Sequence, residues 1–224
     1  MKIKTIIVAT LAVGSLATTA QSCLAVATSS IGLSILKQIL LGGITRGLGI
    51  FADRDAFLAN NLIDKALPKP LREVNSVLER IAPDLVAKER TYIADAAAYT
   101  VNIADPILRN AVNSLTAEDV TRVANGGKGA ATQLLKEKTA ESLMLAIQPK
   151  VDEKLNEFGI VGTINTALKG SNILGSILGG GTSSLDQSGG LSRLASEQLV
   201  NGLFNIIEDY EQQNSIMLLD ALQK

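Results

Sequence analysis

The stretch Gly129-Ala-Ala-Thr-Gln-Leu-Leu-Lys-Glu-Lys-Thr-Ala-Glu-Ser-Leu-Met-Leu-Ala-Ile-Gln-Pro-Lys-Val-Asp-Glu-Lys-Leu-Asn-Glu-Phe158 decides the fold class. Leu135, Leu143, Ile147, Val151, Leu155 and Phe158 recur nearly in helical register. The Ala, Glu and Lys residues between them lose little side-chain freedom in a helix. The spacing predicts a helix over 129–158, kinked about a turn before Pro149 and closed by Gly159. No convincing pair of alternating strands is present, and from Ser30 onward the chain reads the same way. The expected architecture is all-α: a compact multi-helix bundle with short helix–helix corners and one Gly/Ser-rich loop.

Working upstream, Thr116 to Asp119 forms a capping box with Asp in place of Glu, opening a short helix that stops at Asn125-Gly-Gly127. Before it stands an Ala-rich helix over 84–103, whose Ala94, Ala96, Ala97 and Ala98 permit close approach of another helix. Asp105-Pro106 is expected to interrupt that helix and reopen it through Val112. Pro83 marks a boundary, and Leu71, Val74, Val77, Leu78 and Ile81 form one stripe behind the extended connector Pro68-Lys-Pro70. Asp53 is expected to cap a short helix through Leu62. The first helix, 31–51, carries Ile31, Ile35, Ile39 and Leu40 with Gly42, Gly43, Gly47 and Gly49. Each Gly costs roughly 1 kcal/mol relative to Ala, so a break near Gly42 is expected. Lys37 and Arg46 make this a core or interfacial helix rather than a membrane span. Downstream, 170–190 is a Gly/Ser-rich loop, and a closing helix carries Leu191, Leu194, Leu199, Leu203, Ile206, Ile207 and Tyr210 on one broad face.

Composition narrows the chemistry. The 224 residues include no His, no Trp and one Cys, so imidazole bases, His metal sites and internal disulfides are excluded. With 21 basic against 22 acidic residues and 3% aromatics, nothing favours binding to nucleic acid. Lys2 and Lys4 precede an apolar run over 6–17 and a small polar stretch, the pattern of a signal peptide over 1–22. Cleavage there leaves 19 bases and 22 acids, a net charge of −3. Ala20-Gln-Ser-Cys23 is similar to a bacterial lipoprotein box, with an unusual Gln21 and with Ala20 where Leu is usual, three residues before the Cys. Cys23 is therefore a candidate lipidation site at the head of a short tether, 23–30, followed by a single helical domain over 31–224. Cleavage after Ala20, Ala25 or Ala27 is the alternative and gives a soluble periplasmic or secreted chain.

Several segments together resemble one exported bacterial family, the domain of unknown function 4197. They are Phe57-Leu with Ala66-Leu-Pro-Lys-Pro-Leu71, Ile107 to Val120, Asn125 to Thr132, and Gln198 to Phe204 with Glu208. The resemblance covers most of 50–210 and implies an all-helical exported domain with no assigned reaction. Where the family usually has an Asn-Arg-Ala-Ala-Glu-like segment, this chain reads Ile93-Ala-Asp-Ala-Ala-Ala98. The family's basic, Pro-containing tail is absent after Tyr210.

Candidate chemistry is sparse. Gly126-Gly-Lys-Gly-Ala-Ala-Thr132 is the most phosphate-like segment, but it lacks a nucleotide loop's Gly-Lys-Ser/Thr ending and preceding strand, and is expected to be a helix–helix turn. Asp95, Asp105, Glu118 and Asp119 are candidate acid–base carboxylates if a cleft pairs them, and otherwise caps or solvated faces. Ile173, Leu174, Ile177 and Leu178 in the loop are candidate contacts to a partner or membrane. Asp186 alone is too little for a Ca²⁺ loop. No catalytic residue, cofactor or metal site is assigned. The expected function is a non-enzymatic binding or structural module of the periplasmic envelope, anchored through a lipid on Cys23, with a protein or lipid partner. The alternatives are a carrier of an apolar ligand between helices and a carboxylate-dependent hydrolase.

Overall fold

The helical periods are realised as eight α-helices among the residues that the computed structural model describes, 30–157, 159 and 189–223. They are α1 Ser30–Ala52, α2 Arg54–Leu58, α3 Asn61–Lys65, α4 Lys69–Ile81, α5 Pro83–Asn113, α6 Ala117–Gly126, α7 Ala130–Glu157 and α8 Gly189–Gln223. Cys23, the 1–22 segment and the loop residues Ile173, Leu174, Ile177 and Leu178 lie outside the described residues.

The four long helices close a ring: α1 packs on α5 and α8, and α7 packs on the same two. Neighbours run antiparallel, as their cross-links show. Lys37 near the start of α1 donates to the Asn113 carbonyl at the end of α5 (2.8 Å). Ala131 at the start of α7 faces Glu211 late in α8, while Asp152 near its end accepts from Ser192 near the beginning of α8. Leu40, Ile44, Leu108, Leu135, Leu143, Leu199 and Ile207 form the centre of a single core. Every α7 position assigned from its period between Leu135 and Leu155 is buried there. The short helices fit around the ring: α6 on α7 and α1, α2 on α5 and α1, α3 on α8, α4 on α5.

The break expected near Gly42 does not occur. A Cβ on Gly43 would lie 3.0 Å from Ile207 Cγ2 and 3.3 Å from the Ile207 Cα, and one on Gly47 2.6 Å from Leu203 Cδ1. Spaced by one turn, these two glycines remove side chains from the α1 face on which α8 lies. Close packing of α8 therefore offsets their weak helix propensity. Leu36, Leu40, Ile44, Leu48 and Phe51 bury the rest of α1, which is long and apolar enough to cross a membrane by composition alone and here serves as a core helix.

Three further expectations need correction. α5 is unbroken through Pro106, because Pro106 and the Asn102 whose carbonyl it leaves unbonded both face solvent, while Ala104, Leu108 and Val112 are buried. The helix expected from Asp53 to Leu62 is two helices, since Asn60 caps a second one by accepting from the Leu62 N–H. Gly189 and Gly190, expected in the loop, open α8. Asp53, the Pro83 boundary and the Thr116–Asp119 capping box stand as expected, and Gly159 follows α7 with φ +67°, but of the Pro68-Lys-Pro70 connector only Pro68 is extended, since Lys69 and Pro70 already form the first turn of α4.

The Gly43→Val variant should push α8 away from α1 and lower unfolding stability by about 1–3 kcal/mol. Gly49 faces open space, so Gly49→Ala should raise stability by about 1 kcal/mol. Paired urea denaturations measure both, and equal responses at the two positions would contradict the packing account.

Candidate ligand pocket

Pro68 and Pro83 place α4. The extended Pro68 starts the helix, with the Arg72 guanidinium donating back to the Leu67 carbonyl (3.0 Å), and Ala82 alone separates α4 from α5. This tight corner lays α4 against the first half of α5. Asn60 turns α3 toward α8, where Asn205 Nδ2 donates to the Leu62 carbonyl (3.1 Å). Between these elements lies a pocket of about 310 Å³. Phe57, Leu58, Ile63, Leu67, Val86 and Ile93 supply apolar walls, and Asp64, Arg72, Asn75, Ser76, Glu79, Arg90 and Gln198 supply polar ones. Arg90 Nη2 bridges both Asp64 carboxylate oxygens (3.0 and 2.9 Å), tying α5 to α3 across the site. Phe57 is held edge-on against Phe51, with ring centroids 5.3 Å apart.

Val86, Glu89, Arg90 and Ile93 share one helical face by their spacing. Glu89 on that face is 1% exposed, and neither of its carboxylate oxygens has a hydrogen-bond partner. Asn75 Oδ1 and Gln198 Oε1, on two other helices, line the pocket and are also buried and unpartnered, whereas Glu89 lies outside the lining, beside Asn75. Each of these atoms is an acceptor, or in Glu89 a potential donor once protonated. Burial pushes the Glu89 carboxyl up to about 7, and the nearby Asn75 side chain and Arg90 charge recover only part of the shift.

The carboxylates singled out from the sequence do not meet. Asp95 pairs with Arg54 (3.5 Å), Asp105 with Arg109 (2.6 Å), and Glu118 is exposed. Asp119 caps α6 by accepting from the Thr116 N–H (3.0 Å) and pairs with Lys138 (3.2 Å). Burial raises its carboxyl, but the Thr116 bonds and Lys138 outweigh that and hold it below the usual range. The phosphate-like segment is a helix–helix turn whose anion position is already filled. The Ala131 and Thr132 N–H groups and the Thr132 hydroxyl donate to the buried Glu211 carboxylate at 3.1, 2.7 and 2.6 Å. Gly129, with φ +75°, leaves room for Glu208, whose Oε1 lies 2.8 Å from where a Cβ would stand. Among the described residues, no group of three or more Cys, Asp or Glu side chains is placed to hold a metal ion.

Sequence reasoning missed Glu89, Asn75, Gln198 and Glu211. One signal for Glu89 was available: a lone carboxylate within the apolar Val86–Ile93 face. For Asn75 and Gln198 there was none, because their burial depends on the packing of α8 against elements more than a hundred residues earlier in the chain.

Glu89 is raised from 4.5 to about 7 in the folded protein, so the fold binds the proton more tightly than the unfolded chain. Stability from this group is therefore complete below pH 4.5 and is lost as pH rises through 7. Glu89→Gln should remove that loss, gaining on the order of 3 kcal/mol over wild type at pH 8 relative to pH 4, as read by denaturation across pH. Glu211→Ala leaves the α7 donors unpartnered and should destabilise by about 3 kcal/mol, with hydrogen exchange accelerated at Ala131 and Thr132.

The family described as a protein of unknown function (DUF4197) matches residues 27–214. No curated protein and no solved structure matches the chain. The matched segment includes α1, α5 and α7 whole, α8 as far as residue 214, every residue lining the pocket, and Glu211. By a match over most of its length, the chain belongs to the DUF4197 family.

Proposed function

We propose that this protein is an exported, non-enzymatic binding protein of the cell envelope. It is held at a membrane by acylation of Cys23 and takes a small ligand with an apolar body into the pocket among α2, α3, α4, α5 and α8. The observation that carries the binding part is the pair of buried, unpartnered acceptors, Asn75 Oδ1 and Gln198 Oε1, in the lining of a 310 Å³ pocket with apolar walls. Buried polar atoms in folded proteins almost always have a partner, and a pocket of this size falls in the range that admits small molecules. The export part rests on the basic and apolar segments over 2–17, which are compatible with a signal sequence or anchor, and on the box before Cys23.

A second reading, a carboxylate-dependent hydrolase, draws on Glu89, whose raised pKa suits a general acid. That chemistry needs two free carboxylates in the cleft, whereas Glu89 lies outside the lining, Asp64 is engaged by Arg90 and Glu79 is exposed at the rim. The binding reading is therefore preferred.

Native mass spectrometry of the protein purified from its host envelope, paired with the denatured intact mass, tests both parts. The expected result is an acylated chain beginning at Cys23 and a non-covalent small-molecule adduct that is lost in Ser76→Trp, which fills the pocket. Cys23→Ala should move the protein to the soluble fraction. A bare chain beginning after Ala20, Ala25 or Ala27 overturns the tether, and an adduct unaffected by Ser76→Trp overturns the pocket.

A further inference from the structure

The pocket is asymmetric in hydrogen-bonding character. Two of its lining residues carry buried acceptors without partners, Asn75 Oδ1 on α4 and Gln198 Oε1 on α8, and both oxygens of Glu89 on α5, outside the lining and beside Asn75, are likewise buried and unpartnered. Three of the lining donor groups make bonds within the protein: Arg90 to Asp64, Arg72 to the Leu67 carbonyl, and Gln198 Nε2 to the Ile63 carbonyl (3.5 Å). A ligand group that satisfies these acceptors must bring donors, and an ammonium group carries three on one atom. We infer that the pocket takes an organic amine in its cationic form, ammonium end inward against Asn75 and Gln198 with Glu89 behind them, and hydrocarbon body against Phe57, Leu67 and Val86.

This inference rests on the pocket reading above and gives it a ligand class. A buried carboxylate without a counter-charge is costly, and a bound cation provides one in a medium where the attraction is weakly screened. Without a counter-charge, burial keeps Glu89 protonated up to about pH 7. The ammonium favours the ionised form, so near pH 6 binding should expel a proton from Glu89 to solvent. The other charges around the site are Asp64 on α3, Arg72 and Glu79 on α4 and Arg90 on α5, while α8 contributes the neutral Gln198. The Asp64–Arg90 pair is internally compensated, leaving Glu89 as the group whose charge the ligand changes.

The test uses the purified mature chain with n-hexylamine, 1-hexanol and hexanoate as probes in isothermal titration calorimetry at pH 6. The proposal expects hexylamine to bind at least about tenfold more tightly than hexanol. It also expects hexanoate to bind least, proton release on amine binding as shown by buffers of different ionisation enthalpy, and loss of the amine preference in Glu89→Gln. Equal affinity for hexylamine and hexanol, both abolished by Ser76→Trp, leaves the pocket reading standing and overturns the amine class. Absence of binding by all three overturns the amine inference, and the Ser76→Trp adduct experiment then decides the pocket separately. Amine preference retained in Glu89→Gln overturns the role of Glu89. Should that variant fail to fold, the proton-release measurement on wild type decides the same point, since an amine bound without proton release contradicts it.

Discussion

The contact of α1 with α8 across Gly43 and Gly47 is the constraint on which the rest of the bundle depends. Helix axes normally stand 8–10 Å apart according to the side chains between them, and a glycine face permits the close end of that range. Ile207 and Leu203 occupy the space the missing side chains leave. With α8 seated there, its other faces meet α7 and α3. Because α8 also carries Gln198 to the pocket and Glu211 to the start of α7, the same contact sets the position of both polar features of the core.

Glu211 shows how the bundle deals with an otherwise exposed weakness. The first N–H groups of any helix lack partners within it, and at α7 they point into a protein interior. A carboxylate from a helix distant in sequence accepts from them, so the favourable charge for a helix N-terminus is supplied internally. A segment with the look of an anion-binding turn is in this way an element of tertiary structure.

Glu89 is the opposite case. Its oxygens are buried without partners, so it opposes folding at neutral pH where Glu211 supports it. Tertiary packing tolerates this because the core is extensive, and the cost stays concentrated at one position behind the pocket lining. A site that holds unpaired acceptors in a water-poor wall keeps its binding free energy for a ligand that supplies the missing donors.

The helical class, the bundle, the capping box at Thr116, the cap at Asp53 and the buried stripe of α7 were legible in the sequence, because each rests on residues within a turn or two of one another. Family membership was legible from the order of several short segments. The continuity of α1 through Gly42 and of α5 through Pro106 was not, since the stabilising contribution comes from Ile207 and Leu203 in one case and from burial of Ala104 and Leu108 in the other. The pocket is likewise a tertiary product: Asn75, Glu89 and Gln198 acquire their meaning from being enclosed together. Sequence by itself determined which segments are helices and which apolar residues seek a core. Only the tertiary structure decided which polar groups would be shut away from water with them, because desolvation depends on neighbours that local periodicity does not specify.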